Sequence, residues 1–387
     1  MKLVIYSVTL NLHQAPVANA LWELTEHNFV FVELINTGES KGGTKDHSQC
    51  PYLLKAWEKR ENYAKAMKLA RTADCCIFSG VDSLPYQKER MKFGLLSFDM
   101  SERWLKQGII NLFSPAIFKM FIAYHLGRWN KKPLYKLCCS AFAATDQHKL
   151  ATFRDKCYKW GYFTKVERFE VEASIDVSNI VPLMWCSRYL KLKHPELPIL
   201  MAERLKRKGY SFRLDMYGSG EYESNTRQLA QDLDVTDVVR FYGNIPNDEL
   251  LANMRRHSIF LFTSDRKEGW GAVANECLSN GCVLVASDAI GSVPYLLKDG
   301  INGFAFTAPK TTSSLDKHDR LALDSLCEKV EWLLNHPEER ETMRQNAVKQ
   351  MQSLWSPQTA AERLLKLIDC LRNKNKTPFT DGPCSIA

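Results

Sequence analysis

The chain has 387 residues, 45% of them hydrophobic and 25% charged, with a formal net charge of +8. That length suits two domains of ordinary size, and the balance excludes a disordered or fibrous chain. The basic residues are dispersed and no nucleic-acid motif accompanies them, so the excess charge points to an anionic small molecule or an anionic surface rather than to DNA or RNA.

Residues 3–8 are a short apolar run that reads as a strand, 16–26 as a helix and 29–35 as a second strand. The polar stretch 36–49, rich in Gly, Lys and Ser, reads as a mobile loop. A helix over 56–71 and buried strands over 75–79 and 95–98 follow. This alternation implies a mostly parallel sheet with helices on both faces. Residues 102–137 differ. An apolar and aromatic stretch, 109–127, lies between Glu102-Arg103-Trp104-Leu105-Lys106 and Arg128-Trp129-Asn130-Lys131-Lys132. Asn111, Ser114, Pro115, Lys119 and His125 interrupt it, which argues against a membrane span. It suits a core-packing helix pair and an interfacial element equally. Residues 137–144 are again strand-like, 157–163 close the first domain, and 164–178 form a polar link.

The second half repeats the pattern. Strands over 181–186, 212–217, 238–242, 259–262 and 283–287 are interleaved with helices over 195–208, 221–233 and 247–256. Helices over 323–335, 338–353 and 357–371 end the chain. The polar tail after Asn373 has two prolines and reads as disordered. The resulting fold class is α/β, with two Rossmann-like domains over 1–175 and 176–356, a helix over 357–373 and a tail over 374–387.

The 12 cysteines, including the pairs Cys75-Cys76 and Cys138-Cys139, mostly sit in apolar runs, where a free thiol acts as a small hydrophobe. None has the C-x2-C spacing of a zinc site, and the start reads as a strand rather than a secretory leader. Free thiols in a reducing cytoplasm are the expectation.

The chain is organised around Glu268-Gly269-Trp270-Gly271-Ala272-Val273-Ala274-Asn275-Glu276. It follows the strand 259–262 and enters a helical pattern that runs from Gly271 to Asn280, with Gly281 as its stop. Strand, glycine-containing loop and helix together aim backbone N–H groups at an anion. Glu268 and Glu276 are about 12 Å apart at helical rise, suited to two ends of one extended ligand. Arg188 and Lys193 follow the first strand of the second half and suit phosphate oxygens. Gly218 and Gly220 follow the next strand, where glycines permit close backbone approach. Asn244 lies after the strand that succeeds it, in a segment whose backbone suits a flat base edge. Four strand ends of one sheet therefore carry signals at the edge where α/β sheets bind ligands.

In this order the motifs Ser-Arg-x4-Lys, Gly-Ser-Gly, Phe-Tyr-Gly-Asn and Glu-Gly-Trp-Gly-x4-Glu resemble the GT-B glycosyltransferases of family 4, retaining enzymes that use nucleotide sugars. Ala289 to Pro294 and Asp299 to Gly303 fit the same pattern, and the first half loosely resembles members that build bacterial surface polysaccharides. The resemblance implies a GT-B fold, with a cleft between the domains and a C-terminal helix crossing back to the first. It implies that Arg188 and Lys193 hold the donor diphosphate and that Glu268 contacts the donor sugar beside Gly269, Trp270, Gly271 and Ala272. Glu276 would bind the ribose. No metal or cofactor is required beyond the nucleotide-diphosphate sugar. The acceptor, a glycan or lipid-linked glycan, belongs to the first domain, where His13, Glu102 and Arg103 are the candidates. Such an enzyme works in the cytoplasm or peripherally on the inner face of an anionic membrane. Three positions depart from the pattern: Asn11 to Pro16 replace a glycine-rich loop, His194 stands for Gly, and Tyr295 stands for Glu. An NAD-dependent oxidoreductase is disfavoured by the missing G-x-G-x-x-G. A non-catalytic nucleotide-sugar binder or scaffold is the alternative that stays open.

Overall fold

Leu3–Ser7 (β1) is buried at every position, the continuous burial of a central strand in a parallel sheet covered on both faces. The computed structural model describes residues 1–36, 47, 49–167, 169, 180–310 and 317–387. The loop read over 36–49 and the link read over 164–178 therefore fall largely outside the described residues. Two compact units emerge. The first comprises Met1–Lys165 and Leu354–Ala387, the second Val166–Ser353.

In the first unit, β1 is followed by α1 (Ala15–Leu24), β2 (Phe29–Glu33), β3 (Leu53–Lys55), α2 (Arg60–Thr72), β4 (Cys75–Ser79), α3 (Leu84–Phe93) and β5 (Ser97–Ser101). Then come α4 (Pro115–Leu126), β6 (Leu134–Cys138), α5 (Ala143–Lys149) and β7 (Cys157–Lys159). The sheet is parallel, in the order β3-β2-β1-β4-β5-β6-β7. The helix expected over 56–71 starts at Arg60, because Leu53–Lys55 pairs with β2 as an edge strand. The helix α3 has no counterpart in the sequence reading. Its mixed charges hide an inward Arg90, whose fully buried guanidinium donates to Ser97 Oγ, to Leu96 O and to Ala70 O and Ala73 O at the end of α2. A buried cation is tolerable only with such full hydrogen bonding. Lys136 is likewise buried, bonded to Asp99 and Ser101 Oγ. The strand expected over 95–98 is Ser97–Ser101, and the stretch 109–127 yields a 3-10 turn (Ile109–Phe113) and one helix, α4, rather than a helix pair.

The second unit contains β8 (Val181–Cys186), α6 (Glu196–Arg207), β9 (Phe212–Tyr217), α7 (Glu223–Asp232), β10 (Val239–Gly243), α8 (Asn247–Arg255) and β11 (Ile259–Phe262). It continues with α9 (Val273–Ser279), β12 (Val283–Ser287), α10 (Val293–Leu296), β13 (Gly303–Phe306), α11 (Lys317–Asn335) and α12 (Pro337–Ser353). All strands are parallel, in the order β10-β9-β8-β11-β12-β13. The order reverses direction between β8 and β11, the switch point at whose carboxyl end such sheets take ligands. Leu183, Trp185, Leu261 and Val285 anchor a core closed by α6 and α11.

The last helix, α13 (Pro357–Arg372), belongs to the first unit, where it packs on α1. Ser356 Oγ accepts from Thr359 N and caps it. The tail after Asn373 is ordered, contrary to its polar composition. Lys159 N donates to Ser385 O, Cys384 N donates to Lys159 O, and Cys384 is fully buried. The tail thereby satisfies the free edge of β7, which composition alone cannot reveal. All 12 cysteines are free. Among the described residues no helix is long and apolar enough to cross a membrane.

Candidate functional site

The loops after β8 and β11 are stitched together at the switch point. Asp265 N donates to Leu192 O at 2.9 Å, and Thr263 Oγ1 donates to Lys193 O at 2.6 Å. Trp185 Nε1 in turn donates to Thr263 Oγ1 at 2.9 Å from within the core. The 3-10 turn Lys191–Lys193 ends on His194, whose left-handed φ of +48° is one that side chains rarely adopt. Its ring is held by carboxylates on two sides, Glu196 Oε1 at 2.7 Å from Nδ1 and Asp265 Oδ2 at 3.7 Å from Nε2. Burial alone would lower its pKa, but the nearby Asp265 carboxylate and the hydrogen bond to Glu196 outweigh burial and raise it to about 9.

This clamp fixes Lys193, whose ammonium is bonded to Glu268 Oε2. Glu268 sits in the turn after β11, its N–H donating to Asp265 O at 3.0 Å. Arg188 is exposed in the loop after β8. Glu276 occupies the first turn of α9, a helix that begins two residues later than the sequence pattern suggests. It is half-buried, and burial raises its pKa to about 7. Cys186, at the end of β8, lies within electrostatic reach of both Glu276 and Lys193. Its thiol is pushed up to about 12, first by burial and then by Glu276.

The glycines act differently from a simple ligand approach. A Cβ on Gly218 would lie 1.9 Å from Ser187 O, and one on Gly220 would lie 2.6 Å from Tyr189 O. Their bare backbone lets the loop after β9 lie against the loop after β8, locked by Tyr189 N donating to Ser219 O and Tyr222 N donating to Tyr189 O. Asn244 Nδ2 reaches Ser219 Oγ at 2.6 Å and remains exposed. Trp270 is fully buried, with Nε1 on Asn275 Oδ1 and its ring near Tyr295. Gly269 is buried as well, so Gly271 and Ala272 are the partly exposed positions of the stretch 269–272. Asp265, Thr263 and Cys186 escaped the sequence reading, and His194 entered it only as a departure from the pattern. The His194 departure was the available signal, since an αL position without glycine must be held by its side chain.

In the first unit, His13 follows β1. Asn11 Oδ1 accepts from the N–H groups of His13 and Gln14, and the His13 ring stacks on Tyr162 with centroids 6.2 Å apart. Burial lowers the His13 pKa. Tyr162 OH donates to Glu102 Oε1 at 3.0 Å, while Lys106 Nζ holds Oε2. Tyr162 thereby connects His13 to Glu102, a link that sequence did not suggest. Arg103 is set apart from them, forked onto Asp146 and over the Phe142 ring with its side chain 12% exposed. Among the described residues no group of three or more metal-binding side chains comes together.

A D-inositol 3-phosphate glycosyltransferase of Frankia alni is 30% identical over 148 residues, 36% of this chain and 36% of its own length. The chain thus matches only about a third of that relative. Among solved structures, Anabaena HepE in complex with UDP superposes with a TM-score of 0.69 at 14% identity, covering 95% of this chain and all (100%) of that one. The lipopolysaccharide outer core galactosyltransferase WaaB gives 0.67 at 13% identity, over 97% of this chain and 99% of its own. The fold is therefore GT-B, two Rossmann-like α/β domains. Residues 183–350, which carry every side chain gathered at the switch point, match the family of glycosyl transferases group 1.

Proposed function

We propose that the protein is a retaining glycosyltransferase that moves a hexose from a nucleotide-diphosphate sugar to a glycan or lipid-linked glycan in surface-polysaccharide synthesis. The observation that carries this reading is the Lys193–Glu268 pair at the switch point of the second sheet, with Glu276 in the first turn of the helix that follows. The UDP bound by the HepE structure and the outer-core acceptor in the WaaB name support a nucleotide donor and a surface glycan. In this reading Arg188 and Lys193 bind the diphosphate and offset the charge that grows on it as the glycosidic bond breaks. Glu276 takes the ribose hydroxyls and Glu268 the sugar hydroxyls. The leaving phosphate oxygen accepts the acceptor's proton on the face from which it departs, so that neither a metal nor an enzyme carboxylate at the anomeric carbon is needed. His13, Tyr162 and Glu102 orient the acceptor. The enzyme works in the cytoplasm, peripherally on an anionic membrane.

The test is a thermal-shift screen against nucleoside diphosphates and nucleotide sugars, followed by measurement of released nucleotide without acceptor. A ligand at about 100 times its Kd stabilises by about 2.7 kcal/mol, enough to identify the donor. Binding without any slow hydrolysis of the donor, and without transfer to glycan, would leave a nucleotide-sugar binder in place of an enzyme.

A further inference from the structure

A groove of about 740 Å³ runs between α3 and α4 in the first unit, within the size range of about 300–1,000 Å³ typical of ligand sites. Its floor is apolar, with Met91, Ala123 and Trp129 buried beneath it. Its rim carries Lys88, Lys92, Lys119 and Lys132. Lys92 is bonded to Glu89, and the other three ammonium groups have no ion pair among the described residues. None of the groove's lining residues is acidic.

The surface beside the groove is unusually apolar. The helix α4, Pro-Ala-Ile-Phe-Lys-Met-Phe-Ile-Ala-Tyr-His-Leu, has a single lysine and buries only Met120, Ala123 and Tyr124. Phe118, half exposed, and Leu126, 79% exposed, line the groove, and Phe113 on the preceding 3-10 turn is 84% exposed. Large apolar side chains gathered in the open mark an interaction surface. An apolar floor under a ring of unpaired ammonium groups complements a molecule with a hydrocarbon part and an anionic head. A protein partner's apolar face would leave those lysines desolvated without counter-charge.

We infer that the α3–α4 groove receives the apolar chain of an anionic phospholipid at a bilayer surface, with Lys88, Lys119 and Lys132 on its phosphate. This rests on the peripheral-membrane part of the reading above and is independent of sugar transfer. The chain enters the protein rather than the protein resting on headgroups, so part of the binding survives salt that screens surface charge.

The full chain is sedimented with vesicles of phosphatidylcholine alone and of phosphatidylcholine with phosphatidylglycerol, at low and high salt. The wild type is expected on the anionic vesicles only, with a salt-resistant fraction. Brominated acyl chains are expected to quench its fluorescence, and Trp129→Phe to remove most of that quenching. Lys88→Glu with Lys119→Glu reduces partitioning at least about tenfold. A charge-matched pair on α12 and α13, Lys349→Glu with Lys366→Glu, changes it by less than about twofold. Phe118→Asp, at an exposed position, abolishes the salt-resistant fraction. A wild type that stays in the supernatant throughout overturns both the groove and the peripheral reading. Vesicle binding untouched by the rim and Phe118 variants overturns the groove alone. Self-association lost in Phe118→Asp, without vesicle binding, assigns the groove to a second copy of the chain and overturns the lipid.

Discussion

Lys193 donates to Glu268, so the loops after β8 and β11 are joined by a charge pair of which each side chain is only 13% exposed. In the proposed function a diphosphate would take the ammonium from Glu268, and the freed carboxylate would turn to the sugar. Lys193→Ala is therefore expected to weaken nucleoside diphosphate binding by about 10- to 150-fold, the worth of a charge-assisted bond of roughly 1.5–3 kcal/mol. Arg188→Ala should act in the same direction without loss of stability, because Arg188 is exposed. Glu268→Gln should retain diphosphate affinity and lose turnover. Calorimetric titration with the bare nucleotide decides this, and unchanged affinity in both cation variants would remove the phosphate assignment.

Glu276 carries a stability cost that rises with pH. Its ordinary pKa of 4.5 is raised to about 7 in the folded chain by burial. Between those values the native state holds a proton that the unfolded state has released, so stability falls as pH rises through that window. The full effect is on the order of 3 kcal/mol above pH 7. Glu276→Gln should make the free protein more stable than wild type at pH 8, with little difference at pH 4, while weakening every ribose-containing ligand. Urea denaturation at the two pH values, paired with nucleotide titration, tests both halves. Equal stability of variant and wild type at pH 8 contradicts the burial argument.

His194 gives a second window. Its pKa is raised from 6.5 to about 9 because Asp265 and Glu196 outweigh burial. A raised folded pKa on a base stabilises fully below pH 6.5 and is lost as pH rises through 9, again on the order of 3 kcal/mol. In His194→Asn the slope of stability between pH 6.5 and 9 should flatten. Nucleotide affinity should fall too, because the clamp that seats Lys193 is gone. A slope identical to wild type would place the titrating group elsewhere.

Gly218 has φ +115°, and a Cβ there would sit 1.9 Å from Ser187 O. Gly209, with φ +79°, has nothing within 4 Å of a Cβ. Gly218→Ala should therefore cost more than about 3 kcal/mol or prevent folding, and Gly209→Ala only about 1 kcal/mol. Chemical denaturation of the two variants side by side measures the difference. Similar losses would mean that the loops after β8 and β9 can separate at little cost.

How much of this was legible beforehand depended on whether the determining contacts were local. The strands β8, β9, β11 and β12 have the bounds that their apolar runs suggest, because a buried parallel strand announces itself by composition. The strands β3 and β13 lie at sheet edges and are only partly buried, so their composition does not mark them. The helix α3 was hidden because Arg90 faces inward, and only its distant carbonyl partners explain that. Arg188, Lys193, Glu268 and Glu276 lie at one sheet edge, as residues after parallel strands must. Of the His194 clamp only the departure from Gly was legible, since Asp265 is brought to it by the fold. The ordered tail was missed for the same reason, because its partner is the edge of β7.

The assignment of α13 to the first unit bears on how the protein is made. Strands of that unit are synthesised before the second unit, but α1 lacks its covering helix until α13 has been made. The first unit must wait, with an apolar helix face bare, while the whole second unit emerges and folds. Vectorial synthesis therefore favours early completion of the second unit, and a chain that stops before Leu354 leaves the first unit permanently unfinished. Chaperones that shield exposed apolar surface would meet this protein through its amino-terminal half.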